Sequence, residues 1–202
     1  MRIGVDFDNT IVCYDQVFHQ VALERGLIPA SIAVNKGAVR DYLRQVGRED
    51  DWTQMQGYVY GERMRDAQAF PGVLDFFGRM VAARIPVCII SHKTKHPYKG
   101  PQYDLHAAAL GWLEQNGFFD PARIGMARKD VYLELTLPDK LARIAKARCT
   151  HFIDDLPELL AENDFPNSVL PMLFDPADAH SHAVKFRRVK SWTAMTGALR
   201  AA

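Results

Sequence analysis

Short apolar runs alternate with helical stripes along this chain. Arg2 to Phe7 carries the run Ile3-Gly4-Val5 and reads as a first buried strand. From Tyr14 to Arg25, apolar Val17, Phe18, Val21, Ala22 and Leu23 recur at helical spacing, predicting an amphipathic helix that Gly26 stops and Pro29 cannot continue. Lys36 to Val46 and Asp51 to Asp66 read as two further helices, so residues 13–69 form an all-helical insertion. Pro71-Gly72 marks the return to alternation: a helix over Val73 to Arg84, then the near-continuous apolar run Ile85 to Ile90 ending at Ser91. Gln102 to Asn116 is helical and ends at Gly117, and Val131 to Leu135 reads as a third strand. Thr136 to Arg148 is a helix with Pro138 in its first turn, where proline is tolerated. His151 to Ile153 and Ser168 to Phe174 are the fourth and fifth strands, and a short helix follows Ser191. Unbroken apolar strands belong to parallel sheets covered on both faces. The pattern therefore predicts an α/β fold, a doubly wound parallel sheet built from residues 1–12 and 70–202, with residues 13–69 inserted after the first strand.

Composition narrows the partners. A formal net charge of only +1 argues against a broad nucleic-acid surface. No apolar run approaches the length that crosses a bilayer, and the chain enters its first strand without an apolar leader, so no membrane role is expected. The 3 cysteines are scattered, with no CxxC pair, which suits a reducing cytoplasm. Oligomeric state leaves no signal.

The chemistry concentrates where strands end. In Asp6-Phe7-Asp8-Asn9-Thr10 the strand period of two sends both carboxylates one way and Phe7 into the core. Paired carboxylates repel unless a cation or a shared proton intervenes. In open α/β sheets ligands bind beyond the carboxyl ends of the strands. Ser91, Asp154 and Asp155 fall at such ends, and Lys140 lies at the start of the helix entering the fourth strand. Acids, a hydroxyl and an ammonium on one rim can hold a hard cation and a phosphoryl group.

At these residues the chain resembles the haloacid dehalogenase-like (HAD) superfamily. That family shows DxDx[TV] after its first strand, a strand ending in Ser/Thr, a later Lys, and an acidic pair after another apolar strand. Here these are Asp6-Phe7-Asp8-Asn9-Thr10, Ile89-Ile90-Ser91, Lys140, and Phe152-Ile153-Asp154-Asp155. The resemblance implies a Rossmann-like core, with residues 13–69 matching the family's C1-type helical cap. It implies an Mg²⁺-dependent phosphatase acting on a small phosphorylated metabolite through an aspartyl-phosphate. Asp6 would be the nucleophile and Asp8 the acid/base. The metal would take Asp6, the Asp8 backbone carbonyl and one of Asp154 and Asp155, with Asp155 favoured. Thr10, Ser91 and Lys140 would hold phosphate oxygens. Dehalogenating relatives generally lack the second acid, so Asp8 favours phosphate chemistry. Asn9 stands where many relatives have Gly; asparagine tolerates a left-handed backbone, so the turn is expected to persist.

Several readings compete. Lys129 is the alternative to Lys140, and Asp154-Asp155 could cap a helix starting near Leu156. The basic segment after Ser91, with His92, Lys93, Lys95, His96 and Lys99, is either a contact for an anionic substrate or a solvated loop. His180 and His182 carry no assigned role. A phosphotransferase or phosphomutase would share the same first step, and a receiver-like protein would bind phosphoryl and Mg²⁺ without turnover.

Overall fold

The structure, a computed structural model, describes residues 1–181 and 185–200; His182 lies outside them. In chain order the elements are β1 (Ile3–Val5), β2 (Val12–Cys13), α1 (Asp15–Glu24), α2 (Lys36–Gln45), α3 (Glu49–Tyr60), β3 (Gln68–Ala69) and α4 (Val73–Ala82). They continue with β4 (Val87–His92), α5 (Leu105–Gln115), β5 (Val131–Glu134), α6 (Leu137–Lys146) and β6 (His151–Asp154). The last are α7 (Pro157–Leu160), β7 (Leu170–Phe174), β8 (Arg187–Val189) and α8 (Trp192–Arg200). No helix among the described residues is long and apolar enough to cross a membrane.

The chain forms two compact units, one of residues 1–12, 69–93 and 116–202, the other of 13–68 and 94–115. The first holds a six-stranded sheet in the order β5-β4-β1-β6-β7-β8. Every neighbouring pair runs parallel. The expected doubly wound α/β sheet is therefore present. β1 lies inside it, with Val5 in register with Ile89 on one side and Ile153 on the other. One face packs Cys88, Ile90, Phe152 and Leu173 against Leu141 and Ile144 of α6 and Leu159 and Leu160 of α7. Leu173 and Phe174 are successive residues, so Phe174 points to the opposite face. There its ring centroid lies 5.4 Å from Trp192 of α8, which lies 4.8 Å from Phe76 of α4. Gly4 is what lets β1 sit so closely: a Cβ there would stand 2.6 Å from the Phe152 ring and 2.8 Å from Cys149 Sγ.

The helical unit is built around rings. Phe18 of α1 lies 5.0 Å from Trp52 of α3 and 5.6 Å from Tyr60. Its membership differs from the sequence reading, which placed 94–115 with the sheet. Gly57 of α3 and Gly61 just after it leave room for Pro97 and Tyr103, and Trp112 Nε1 of α5 donates to the Ala67 carbonyl at 2.8 Å. Lys99 pairs with Asp50 at 2.6 Å, so this end of the basic loop is anchored inside the helical unit. Helix α3 starts at Glu49 and ends at Tyr60, and the residues expected to continue it form a separate 3-10 turn, Met64–Asp66.

Candidate active site

All the site groups described below belong to the sheet unit. β1 ends at Val5, and Asp6 follows with its amide donating to the Ile153 carbonyl at 2.9 Å. Asn9 takes φ 56°, the left-handed turn expected of it. The turn returns through the Ile11 and Val12 amides, both donating to the Phe7 carbonyl. Phe7 is fully buried, so Asp6 and Asp8 leave the strand on the side away from it. The far end of the loop is fixed by Trp192 of α8, whose Nε1 donates to the Thr10 carbonyl at 3.0 Å.

Two ammonium groups organise the acids. Lys140, on the first turn of α6, donates to Asp6 Oδ1 at 2.6 Å and to Asp154 Oδ2 at 2.7 Å. Its side chain is 3% exposed. Lys129 is exposed, so it is Lys140 that meets the acids. Lys93, two residues beyond Ser91, donates to both oxygens of Asp8 at 2.9 and 2.8 Å and is itself buried. Burial pushes the Asp6 carboxyl up to about 7; Lys140 opposes that shift while Asp154 and Asp8 add to it. For Lys140, burial works against the charged form, but Asp154 and Asp6 outweigh it and hold the ammonium above the ordinary lysine range.

The acidic pair after β6 divides in its contacts. Asp154 is fully buried, and its two oxygens accept from Lys140 and from the Leu156 amide. Asp155 is half-buried and accepts from the Thr10 hydroxyl at 3.3 Å. One oxygen each from Asp6, Asp154 and Asp155 lie within 4.8 Å of one another. Three carboxylates are the hard oxygen donors that Mg²⁺ takes, and they outnumber the single ammonium of Lys140 that meets two of them. These residues fit a divalent cation.

A cavity of about 250 Å³ opens at this point, lined by Asp6, Asp8, Asn9, Ser91, Lys140 and Asp155, with His92, Leu137, Leu156, Glu158, Leu159 and Glu162 completing its wall. Ser91 is 1% exposed, and its hydroxyl has no hydrogen-bond partner among the described residues. His92 is exposed, its Nε2 3.1 Å from the Leu135 carbonyl. Thr10 and Lys93 do not line the cavity; they hold its acids. A larger groove, about 720 Å³ along α4, contains none of the strand-end acids, so size does not locate the chemistry.

Sequence reasoning missed the bond from Lys93 to Asp8 and the place of Glu158 and Glu162 on the cavity wall. The first had a signal. Ser91 and Lys93 are two apart in extended chain and so share a side. The second had none, because α7 is a single turn whose facing no pattern fixes.

No family model matches the chain, and no curated protein matches it. Solved structures do. A HAD family hydrolase from Deinococcus radiodurans R1, with bound phosphate and sodium, aligns over 98% of this chain and 94% of its own, with a TM-score of 0.57 and 18% identity. A HAD hydrolase of family IA, variant 3, from Entamoeba histolytica HM-1:IMSS aligns over 95% and 93%, with a TM-score of 0.58 and 10% identity. A structure described as a dehalogenase aligns over 97% and 95%, with a TM-score of 0.55 and 12% identity. The six-stranded parallel sheet has the same fold as these solved structures of HAD hydrolases.

Proposed function

We propose that the protein is an Mg²⁺-dependent phosphatase of small phosphorylated metabolites. The observation that carries this reading is the second acid: Asp8 stands beside Asp6 at the strand exit, its carboxylate gripped by Lys93 at 2.8 and 2.9 Å. A dehalogenase has no use for an acid that gives a proton to an alkoxide and later takes one from water. Ser91, on the cavity wall, supports the reading, since its hydroxyl can donate to a phosphoryl oxygen there.

In this mechanism an Asp6 oxygen attacks phosphorus, the bond from phosphorus to the ester oxygen breaks, and Asp8 protonates the departing alkoxide. Asp8 then takes a proton from the water that hydrolyses the aspartyl-phosphate. Lys140 holds Asp6 in place and offsets charge at the nucleophile, and Asp154 holds Lys140. Asp155, set by Thr10, would share the cation with Asp6 and the Asp8 carbonyl, while Asp154, with both oxygens engaged, orients Lys140. Mg²⁺, when bound, supplies positive charge for the phosphoryl oxygens.

Turnover of p-nitrophenyl phosphate with Mg²⁺ tests the reading. Wild type should hydrolyse it, Asp6→Asn should lose essentially all activity while keeping its circular dichroism, and Asp8→Asn should lose roughly 10²–10⁴-fold. Near-wild-type turnover by Asp6→Asn would refute the nucleophile.

A further inference from the structure

We infer that the phosphate esters this site accepts carry an ammonium group on the leaving alcohol, and that Glu158 and Glu162 receive it. The inference rests on the phosphatase reading above and names its substrate class. Five carboxylates line the cavity, Asp6, Asp8, Asp155, Glu158 and Glu162, against the single ammonium of Lys140. Behind that wall Lys93 pairs with Asp8 and Asp154 with Lys140, and the charges of Lys93 and Asp154 sum to zero. With Asp8 holding the proton it gives to the alkoxide, a divalent cation leaves the wall negative by one charge, and a phosphate monoester brings two more. Such a balance repels an ordinary phosphate ester and suits one that carries its own positive charge.

The two glutamates have no structural employment that explains them. Elsewhere in this unit partly buried acids are paired: Asp130 with Arg2, Glu134 with Arg143, Asp175 with Arg188. Glu158 and Glu162 have no ion pair or side-chain hydrogen bond among the described residues, and both are exposed where the cavity meets solvent. Two carboxylates on one cavity wall with no cation between them repel each other. Ser91 points independently to a ligand in the same cavity, since this 1% exposed residue lines it and its hydroxyl has no hydrogen-bond partner among the described residues. A phosphoryl group at Ser91 and Lys140 leaves the ester's alcohol to the exposed wall, where the glutamates stand.

The test compares 2-aminoethyl phosphate with 2-hydroxyethyl phosphate, two esters that differ by an ammonium in place of a hydroxyl. The full-length protein is assayed in Mg²⁺ for phosphate release, alongside p-nitrophenyl phosphate. Wild type should prefer the amino ester in kcat/KM by roughly tenfold, the worth of one charge-assisted contact. Raising the salt from 50 to 500 mM should shrink that ratio. In the Glu158→Gln/Glu162→Gln double variant the ratio should fall towards one. Equal turnover of the two esters by wild type overturns the inference, as does a preference that the double variant keeps, while p-nitrophenyl phosphate turnover would show the phosphatase reading intact. No hydrolysis of any of the three esters overturns both together.

Discussion

Replacing Lys140 with Met removes the one ammonium that Asp6 and Asp154 share. The side chain is 3% exposed and its partners 7% and 0%, so water cannot take its place. Breaking a buried pair by deleting one partner costs about 3–5 kcal/mol, because the other charge stays buried and uncompensated. At an unfolding entropy of about 2.1 cal/mol/K per residue, 202 residues give about 0.42 kcal/mol/K, so the melting temperature should fall by roughly 7–12 °C in EDTA. A divalent cation between the carboxylates restores positive charge by another route, so millimolar MgCl₂ should raise the variant's melting temperature more than the wild type's. Differential scanning calorimetry with and without metal reads both effects. Lys129→Met, at an exposed position, is the control and should stay within about 0.5 kcal/mol. A Lys140→Met protein that melts within 2 °C of wild type in EDTA would refute the claim that this lysine compensates the acids.

Three further outcomes are expected. The Asp6 carboxyl, at about 7 when folded against 3.8 ordinarily, binds more protons in the folded state; its contribution is full below pH 4 and lost as pH rises from about 4 to 7. Metal-free Asp6→Asn should therefore lose less stability than wild type across that window, a difference measurable by urea unfolding at pH 5 and pH 8. Trp192→Phe, which keeps the ring but removes the donor to Thr10, should cost about 1–3 kcal/mol in urea and lower kcat for p-nitrophenyl phosphate with little change in KM. Gly4→Ala should cost about 1–3 kcal/mol, since its methyl would meet the Phe152 ring and Cys149 inside contact distance; thermal unfolding at that variant's intact fold reads the cost.

The sheet was legible because its strands are buried on both faces and so carry unbroken apolar runs. β8 was not: Arg187-Arg188-Val189 lies at the sheet edge, two of its three residues are charged, and it pairs with β7 alone. The two-residue strands β2 and β3 are too short to leave a period. Periodicity located α5 but could not say which unit it joins, because that depends on the fit of Pro97 against Gly57 of α3 and of Tyr103 against Gly61 just beyond it. At the site, the spacing Asp6, Asp8 and the acids after β6 carried their own meaning, since strand alternation fixes their side. Lys93 was read within a basic segment that either contacts an anionic substrate or is solvated, and in the fold it grips Asp8. Sequence spacing supplies a side of a strand, but not which of two nearby anions an ammonium meets.

The distance along the chain between the two halves of the site has a consequence for synthesis. The ammonium partner of Asp6 is made 134 residues after it, and Thr10 waits 145 residues for Asp155. At about 5–20 residues per second the first carboxylates spend roughly 7–30 s without their partners. β1 is likewise an apolar strand that must stay unpaired until β4 and then β6 have been made. The nascent chain thus carries an apolar, unpaired strand with two carboxylates at its end, and charge at a strand end is a device that disfavours pairing with the wrong strand.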